Sequence, residues 1–156
     1  MTEQLSEERR QQVLDLCRDL IRIRSYSGEE DKVAQRLGEY CRQAGFDEVR
    51  TDEYGNLICI INGNRPGPTI LFDGHMDTVP VQDPDSWKHD PFGAEIADGI
   101  MYGRGTSDMK GAVAAMACAG VRMVEHVTPS RMSMNVSSTM PSVSEMRTCA
   151  SPSLSG

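Results

Sequence analysis

The sequence predicts an α/β fold. Three observations carry that prediction: apolar residues at helical spacing near the N-terminus, a short continuous apolar run in TILFD (residues 69–73), and an Ala-rich helical stretch that follows a Gly-rich loop. Val13, Leu14, Cys17, Leu20 and Ile21 recur along one face, so residues 6–23 read as an amphipathic helix whose Glu-rich start suits the helix dipole. In SGEE, Ser27 reads as the N-cap of a second helix and Glu30 as its capping-box partner, with Val33, Ala34, Leu37, Tyr40 and Cys41 on the apolar face. A substrate contact is the alternative role for Tyr26 and Ser27. Gly45 closes that helix.

Beyond Phe46 the pattern shortens. VRTDEYGN has strand and turn character, NLICIIN is β-rich, and NRPGP is a turn cluster, which together read as a strand meander. TILFD is expected to be a strand covered on both faces. MKGAVAAMACAGVRMVEH reads as a helix whose small residues suit close packing on a sheet.

Composition narrows the function classes. The 156 residues fit one domain, and 16 Lys plus Arg against 23 Asp plus Glu leave a formal charge of -7. That charge opposes binding to nucleic acid or an anionic membrane. The five cysteines are odd in number, scattered and free of CxxC pairs, so neither a disulfide framework nor a zinc ribbon is expected. With no apolar leader and no run of the ~18 apolar residues that a membrane span needs, the expectation is a cytoplasmic protein.

Residues 128–156 change character. They hold nine Ser and four Met, and only Arg131, Glu145 and Arg147 are charged, whereas residues 1–127 hold 36 charged residues and five Ser. The expected division is therefore a folded portion over 1–127 and a disordered or out-of-frame tail over 128–156.

GHMDTVP places His75 and Asp77 where the strand TILFD ends, the position at which ligand sites of open α/β sheets lie. Residues i and i+2 of extended chain point to the same side, so imidazole and carboxylate can address one point. A neutral imidazole is a metal ligand, and a neighbouring carboxylate can fix its tautomer. The bland alternative is a loop histidine beside a turn-capping aspartate. A second cluster, YGRGTSDMKG, sets Asp108 at a loop-to-helix junction, where an N-cap is the bland role. Phosphate binding with Lys110 is disfavoured, because the GxxxxGK[ST] order is missing and an Asp at the helix start repels phosphate.

GHMDTVP, then SWKHDPF with Trp87, Pro91 and Phe92, then GIMYGRGTSDMKGAVAA together resemble the zinc-dependent aminoacylase and carboxypeptidase superfamily over roughly residues 10–125. The resemblance implies the N-terminal portion of a metallopeptidase-like catalytic domain with a mixed sheet between helices. It further implies a two-metal site hydrolysing amide bonds of N-acyl amino acids or small peptides. His75 matches a zinc ligand, Asp77 the catalytic carboxylate that orients it, and Asp108 the carboxylate bridging both ions. Zinc is the implied metal, with cobalt or manganese as substitutes. His89 and His126 have no role in the motifs as matched and read as surface residues. An unbroken helix from Asp108 would carry His126 roughly 27 Å away at about 1.5 Å per residue.

The chain also departs from the family pattern. A Glu-Glu pair, supplying general base and ligand, is expected some three dozen residues after Asp108, where the sequence reads SSTMPSVSEMRT with Glu145 alone. The further acidic ligand, the distant His and the family dimerisation domain are absent. A catalytic zinc normally holds three protein ligands, so weak metal binding and negligible turnover are expected, with aggregation through uncovered sheet edges. The rival expectation is a non-catalytic binding module that pairs with a full-length relative.

Overall fold

In the computed structural model, which describes residues 5–64, 66–125 and 131–137, each helix starts and stops where its local chemistry allows. Ser6 accepts a hydrogen bond from the Arg9 amide (3.4 Å) and opens α1, Glu7–Arg22, with Glu7 and Glu8 in the first turn. Leu16, Cys17, Leu20 and Ile21 form its buried face. The second helix, α2 (Asp31–Gln43), begins differently from the sequence expectation. Glu30 occupies the cap position without a side-chain cap, and its carboxylate instead accepts from the Gly28 amide at 2.9 Å. No capping box forms, because Ser27 is spent elsewhere. Gly45, at φ 84°, follows the Ala44 cap and ends α2 as expected. Arg36 ties α2 to α1 through Asp19 at 2.7 Å.

Four strands form the main sheet: β1 (Glu48–Thr51), β2 (Leu57–Ile61), β3 (Ile70–His75) and, counted last in the chain, β6 (Met132–Ser137). Their order is β1-β2-β6-β3, with β6 antiparallel to β2 and parallel to β3, so the sheet is mixed as expected. A hairpin of β4 (Glu95–Ala97) and β5 (Ile100–Tyr102) stands apart. The third helix, α3 (Gly111–Glu125), follows a wide turn at Thr106–Lys110. Leu57, Cys59, Ile61, Met132, Met134 and Val136, alternate residues of two neighbouring strands, meet the apolar faces of α1, α2 and α3 in one core.

Three expectations change here. The segment expected to be a structureless tail contributes β6, all six of whose residues are buried between two neighbours. MSMNVS does alternate, with Met132, Met134 and Val136 toward the helices and Ser133, Asn135 and Ser137 on the other face, but it lacks a β-branched run and sits in a Ser-rich composition that hides the period. The remaining residues of 128–156, 128–130 and 138–156, lie outside the described residues, as does His126. Conversely, TILFD is not covered on both faces: β3 ends the sheet order, and Ile70 and Phe72 stay 46% and 37% exposed. Nor does one helix run from Asp108 onward, since Asp108 and Met109 leave helical geometry and α3 starts at Gly111.

Cys17, Cys41, Cys59 and Cys118 are free and buried, in keeping with the absence of a disulfide framework among the described residues. Contact with Cys59 and burial hold the Cys41 thiol above its ordinary value. Burial likewise raises Cys17 and Cys118, and burial with the Cys118 contact raises Tyr40.

Two outcomes follow for stability. Met134→Ala removes a fully buried side chain from the sheet centre and should cost about 2–5 kcal/mol in urea denaturation; an unchanged midpoint would mean that β6 contributes nothing to the core. Groups held above their ordinary values stabilise the fold fully below the unfolded thiol value of 9.0 and lose that contribution as pH rises past it. Lys110, lowered from 10.5 to about 8, acts oppositely, gaining stability as pH rises through that window. Three thiols and Tyr40 outweigh one lysine, so Tm should fall above about pH 9, with a shallower slope in Cys41→Ala.

Candidate functional site

The end of β3 and the turn before α3 meet because two glycines let them. A Cβ on Gly74 would lie 3.0 Å from both Met109 Cε and Met116 Cε, so the bare backbone admits the residue that follows Asp108. Met109 Sδ in turn accepts from the His75 amide at 3.4 Å. Gly105 takes φ 83°, and a Cβ there would sit 2.6 Å from Thr78 Cγ2. Thus the Gly105 turn presses on the residue directly after Asp77. The Asp108–Met109 peptide is cis.

This packing brings all three expected site residues together. His75 Nε2 lies 3.0 Å from Asp108 Oδ1, and His75 Nδ1 lies 3.0 Å from Asp77 Oδ1 and 3.2 Å from the Asp77 carbonyl. Asp108 is therefore no N-cap; its carboxylate reaches across to the imidazole and is 87% exposed. Asp77 uses its other oxygen to accept from Ser27 Oγ at 2.6 Å. Burial opposes a charge on the His75 ring, but the hydrogen bonds to Asp108 and Asp77 together with both negative charges outweigh it and raise the ring's pKa above the ordinary histidine value. His75, Asp77, Thr78, Arg104, Ser107 and Asp108 line a cavity of about 270 Å³.

His75 Nε2 and Asp108 Oδ1 are atom types that could hold a divalent ion. Zinc bonds of about 2.0–2.2 Å to nitrogen and oxygen place tetrahedral donors about 3.4 Å apart, near the observed His75–Asp108 separation. Among the described residues no third His, Cys, Asp or Glu completes such a group.

Sequence reasoning missed what holds the pair in place. Lys110 is fully buried and donates to the Leu20 and Ile23 carbonyls at 2.9 and 2.6 Å, locking the Asp108 turn to the end of α1. Burial pulls its pKa down to about 8, with Cys17 opposing. Ser25, also buried, donates to the Met76 carbonyl at 2.7 Å, and its own carbonyl accepts from the Thr78 amide at 2.8 Å. SWKHDPF supports the far side of the loop: Arg104 lies 5.0 Å over the Trp87 ring, and the Arg104 amide donates to the Pro91 carbonyl. His89, expected on the surface, is 22% exposed, stacks on Tyr102 at 3.9 Å and contacts Glu95 at 2.9 Å.

With the geometry in hand, comparison with known proteins is informative. The sequence profile of "Peptidase family M20/M25/M40" matches residues 71–136, a span that contains His75, Asp77, Asp108 and nearly all of β6. Succinyl-diaminopimelate desuccinylase 2 of Ruegeria sp. (strain TM1040) is 43% identical over 130 residues, which cover 80% of this chain and 33% of that protein. Over residues 71–136 the chain matches this peptidase family.

It spans about a third of the length of the curated relatives it matches, as the N-terminal portion of the catalytic domain. The desuccinylase of Acinetobacter baylyi is 40% identical over 118 residues, 74% of this chain and 31% of its own. Among solved structures, the M20 family metallo-carboxypeptidase Sso-CP2 from Sulfolobus solfataricus shares the fold with a TM-score of 0.74 at 23% identity, over 86% of this chain and 31% of that one. Bacillus subtilis YXEP, described as a dinuclear metal binding peptidase, matches with a TM-score of 0.66 at 16% identity, over 85% and 36%. The family match runs past residue 127, so the Ser- and Met-rich composition begins inside the family's own sequence rather than after it. No described helix is long and apolar enough to cross a membrane.

Lys110→Met keeps the volume but leaves both α1 carbonyls without their donor. It should destabilise the protein by about 2 kcal/mol in urea denaturation. An unchanged midpoint would mean that the two hydrogen bonds merely offset the burial of the ammonium group.

Proposed function

We propose that His75 and Asp108 are ligands in a metal centre of an amide-hydrolysing site, and that Asp77 fixes the His75 ring. The observation that carries this reading is the convergence of His75 Nε2 and Asp108 Oδ1 on one point while Nδ1 is already engaged by Asp77. With Nδ1–H donated to Asp77, the Nε2 lone pair faces the cavity, which is the tautomer a metal requires. Asp108, exposed and in contact only through one oxygen, retains a second oxygen for a neighbouring ion. Zinc is the favoured ion, with two ions in the complete family site and cobalt or manganese as substitutes. When bound, such ions supply Lewis-acid polarisation of an amide carbonyl and a water of lowered pKa.

The substrate class is the amide of an N-acyl amino acid or small peptide. Support comes from the desuccinylases that share 40–43% identity with the chain. These 156 residues on their own do not complete the reaction. After Asp108 the only acids are Glu125 and Glu145, so no Glu-Glu pair stands ready to act as general base and ligand. Two ligands hold an ion weakly, and bound water has no base to take its proton.

Calorimetric titration with zinc, run beside hydrolysis of an N-succinyl amino acid, tests both halves of this reading. The expected result is weak zinc binding that is lost in His75→Ala, with no turnover. Binding that survives His75→Ala unchanged would overturn the ligand assignment. Turnover by these residues alone would overturn the conclusion that they do not suffice.

A further inference from the structure

The loop between α1 and α2 grips three consecutive residues of the His75 loop. Ser25 Oγ donates to the Met76 carbonyl at 2.7 Å. The Thr78 amide and hydroxyl both donate to the Ser25 carbonyl, at 2.8 and 3.3 Å. Between them, Ser27 Oγ donates to Asp77 Oδ2 at 2.6 Å. The first three bonds secure backbone and are buried, whereas the fourth ends on the carboxylate that faces the imidazole. We infer that Ser27 is a positioning residue that acts through Asp77 to hold the proton of His75 on Nδ1, leaving Nε2 free to ligate metal.

The chemistry of the carboxylate explains why a hydroxyl matters there. Asp77 is 26% exposed, and its carboxyl group meets His75 on one side and Ser27 on the other. Its two oxygens are divided, Oδ1 to His75 and Oδ2 to Ser27. A charge-assisted bond of 2.6 Å is short and directional, so it fixes the plane in which Oδ1 meets the ring. Without it, the carboxylate can turn toward solvent and leave Nδ1–H to the longer contact with the neutral Asp77 carbonyl at 3.2 Å. Asp108, at 3.0 Å from Nε2, then competes for the same proton, and the lone pair that a metal needs is lost. Ser27 does not cap α2, which starts without a side-chain cap.

The inference rests on the metal-ligand reading above, but one of its measurements does not. In the metal-free protein, at a pH above the ring's titration, imidazole ¹⁵N shifts report which nitrogen carries the proton. The wild type should show Nδ1–H, Ser27→Ala a shift toward Nε2–H, and Ser27→Thr, which keeps the hydroxyl, the wild-type pattern. Zinc competition with a chromogenic chelator should show about 10-fold weaker binding in Ser27→Ala and near-wild-type binding in Ser27→Thr. Because the Ser25 clamp remains, Tm of Ser27→Ala should stay close to wild type.

An unchanged tautomer in Ser27→Ala, or a Ser27→Thr variant that behaves like Ser27→Ala in the ¹⁵N shifts, overturns the inference. If zinc binds the wild type and His75→Ala equally, the ligand reading fails, while the ¹⁵N result still decides the role of Ser27.

Discussion

The C-terminal end of α1 is the fixed point on which the site depends. There the Leu20 and Ile23 carbonyls receive a buried ammonium group from Lys110, and two residues later Ser25 takes hold of the His75 loop. Helix ends leave carbonyls without partners, and here that need is met by the residue that follows Asp108 by two positions. The arrangement is costly to bury and correspondingly specific. An ammonium group removed from water must find its acceptors, and only one placement of the turn supplies them. Two loops separated by some thirty residues are thereby referred to one rigid helix end, and the 3.0 Å contact between His75 and Asp108 follows from it.

Around the imidazole, the two carboxylates are not equivalent. Asp77 is saturated, one oxygen on the ring and the other on Ser27, and sits partly covered. Asp108 touches the ring with a single oxygen and is otherwise open to solvent. The ring thus has a covered side at Asp77 and an open side at Asp108. Flanked by negative charge on both sides, it holds its proton more readily than an ordinary histidine.

The sequence made His75, Asp77 and Asp108 legible because their signal is local: residue type, spacing of two, and a position at the end of an apolar run. What it hid was set by distant packing. SGEE carries the letters of a capping box, but the Ser27 hydroxyl is drawn 50 residues along the chain to Asp77, and local pattern cannot express that competition. Lys110 enters the sequence reading only as a disfavoured phosphate partner, since nothing near it in sequence announces the carbonyls at the end of α1. TILFD misled because whether a strand is central or at an edge depends on strand order, and this apolar run took the edge. MSMNVS misled because its alternation of apolar and polar residues is embedded in a Ser-rich composition that reads as disorder. The helices were read well because their periodicity survives burial on one face.

The central place of β6 also sets the order in which the molecule can assemble. β1 and β2 are joined by a short turn and can pair at once, but β3 has no partner in the chain until β6 arrives about sixty residues later. His75 lies opposite Ser137 in that register. A chain emerging from the ribosome therefore holds its histidine on an unpaired strand until residue 137 is free to dock. The backbone that carries the His75 imidazole is among the last parts of the sheet to acquire its geometry.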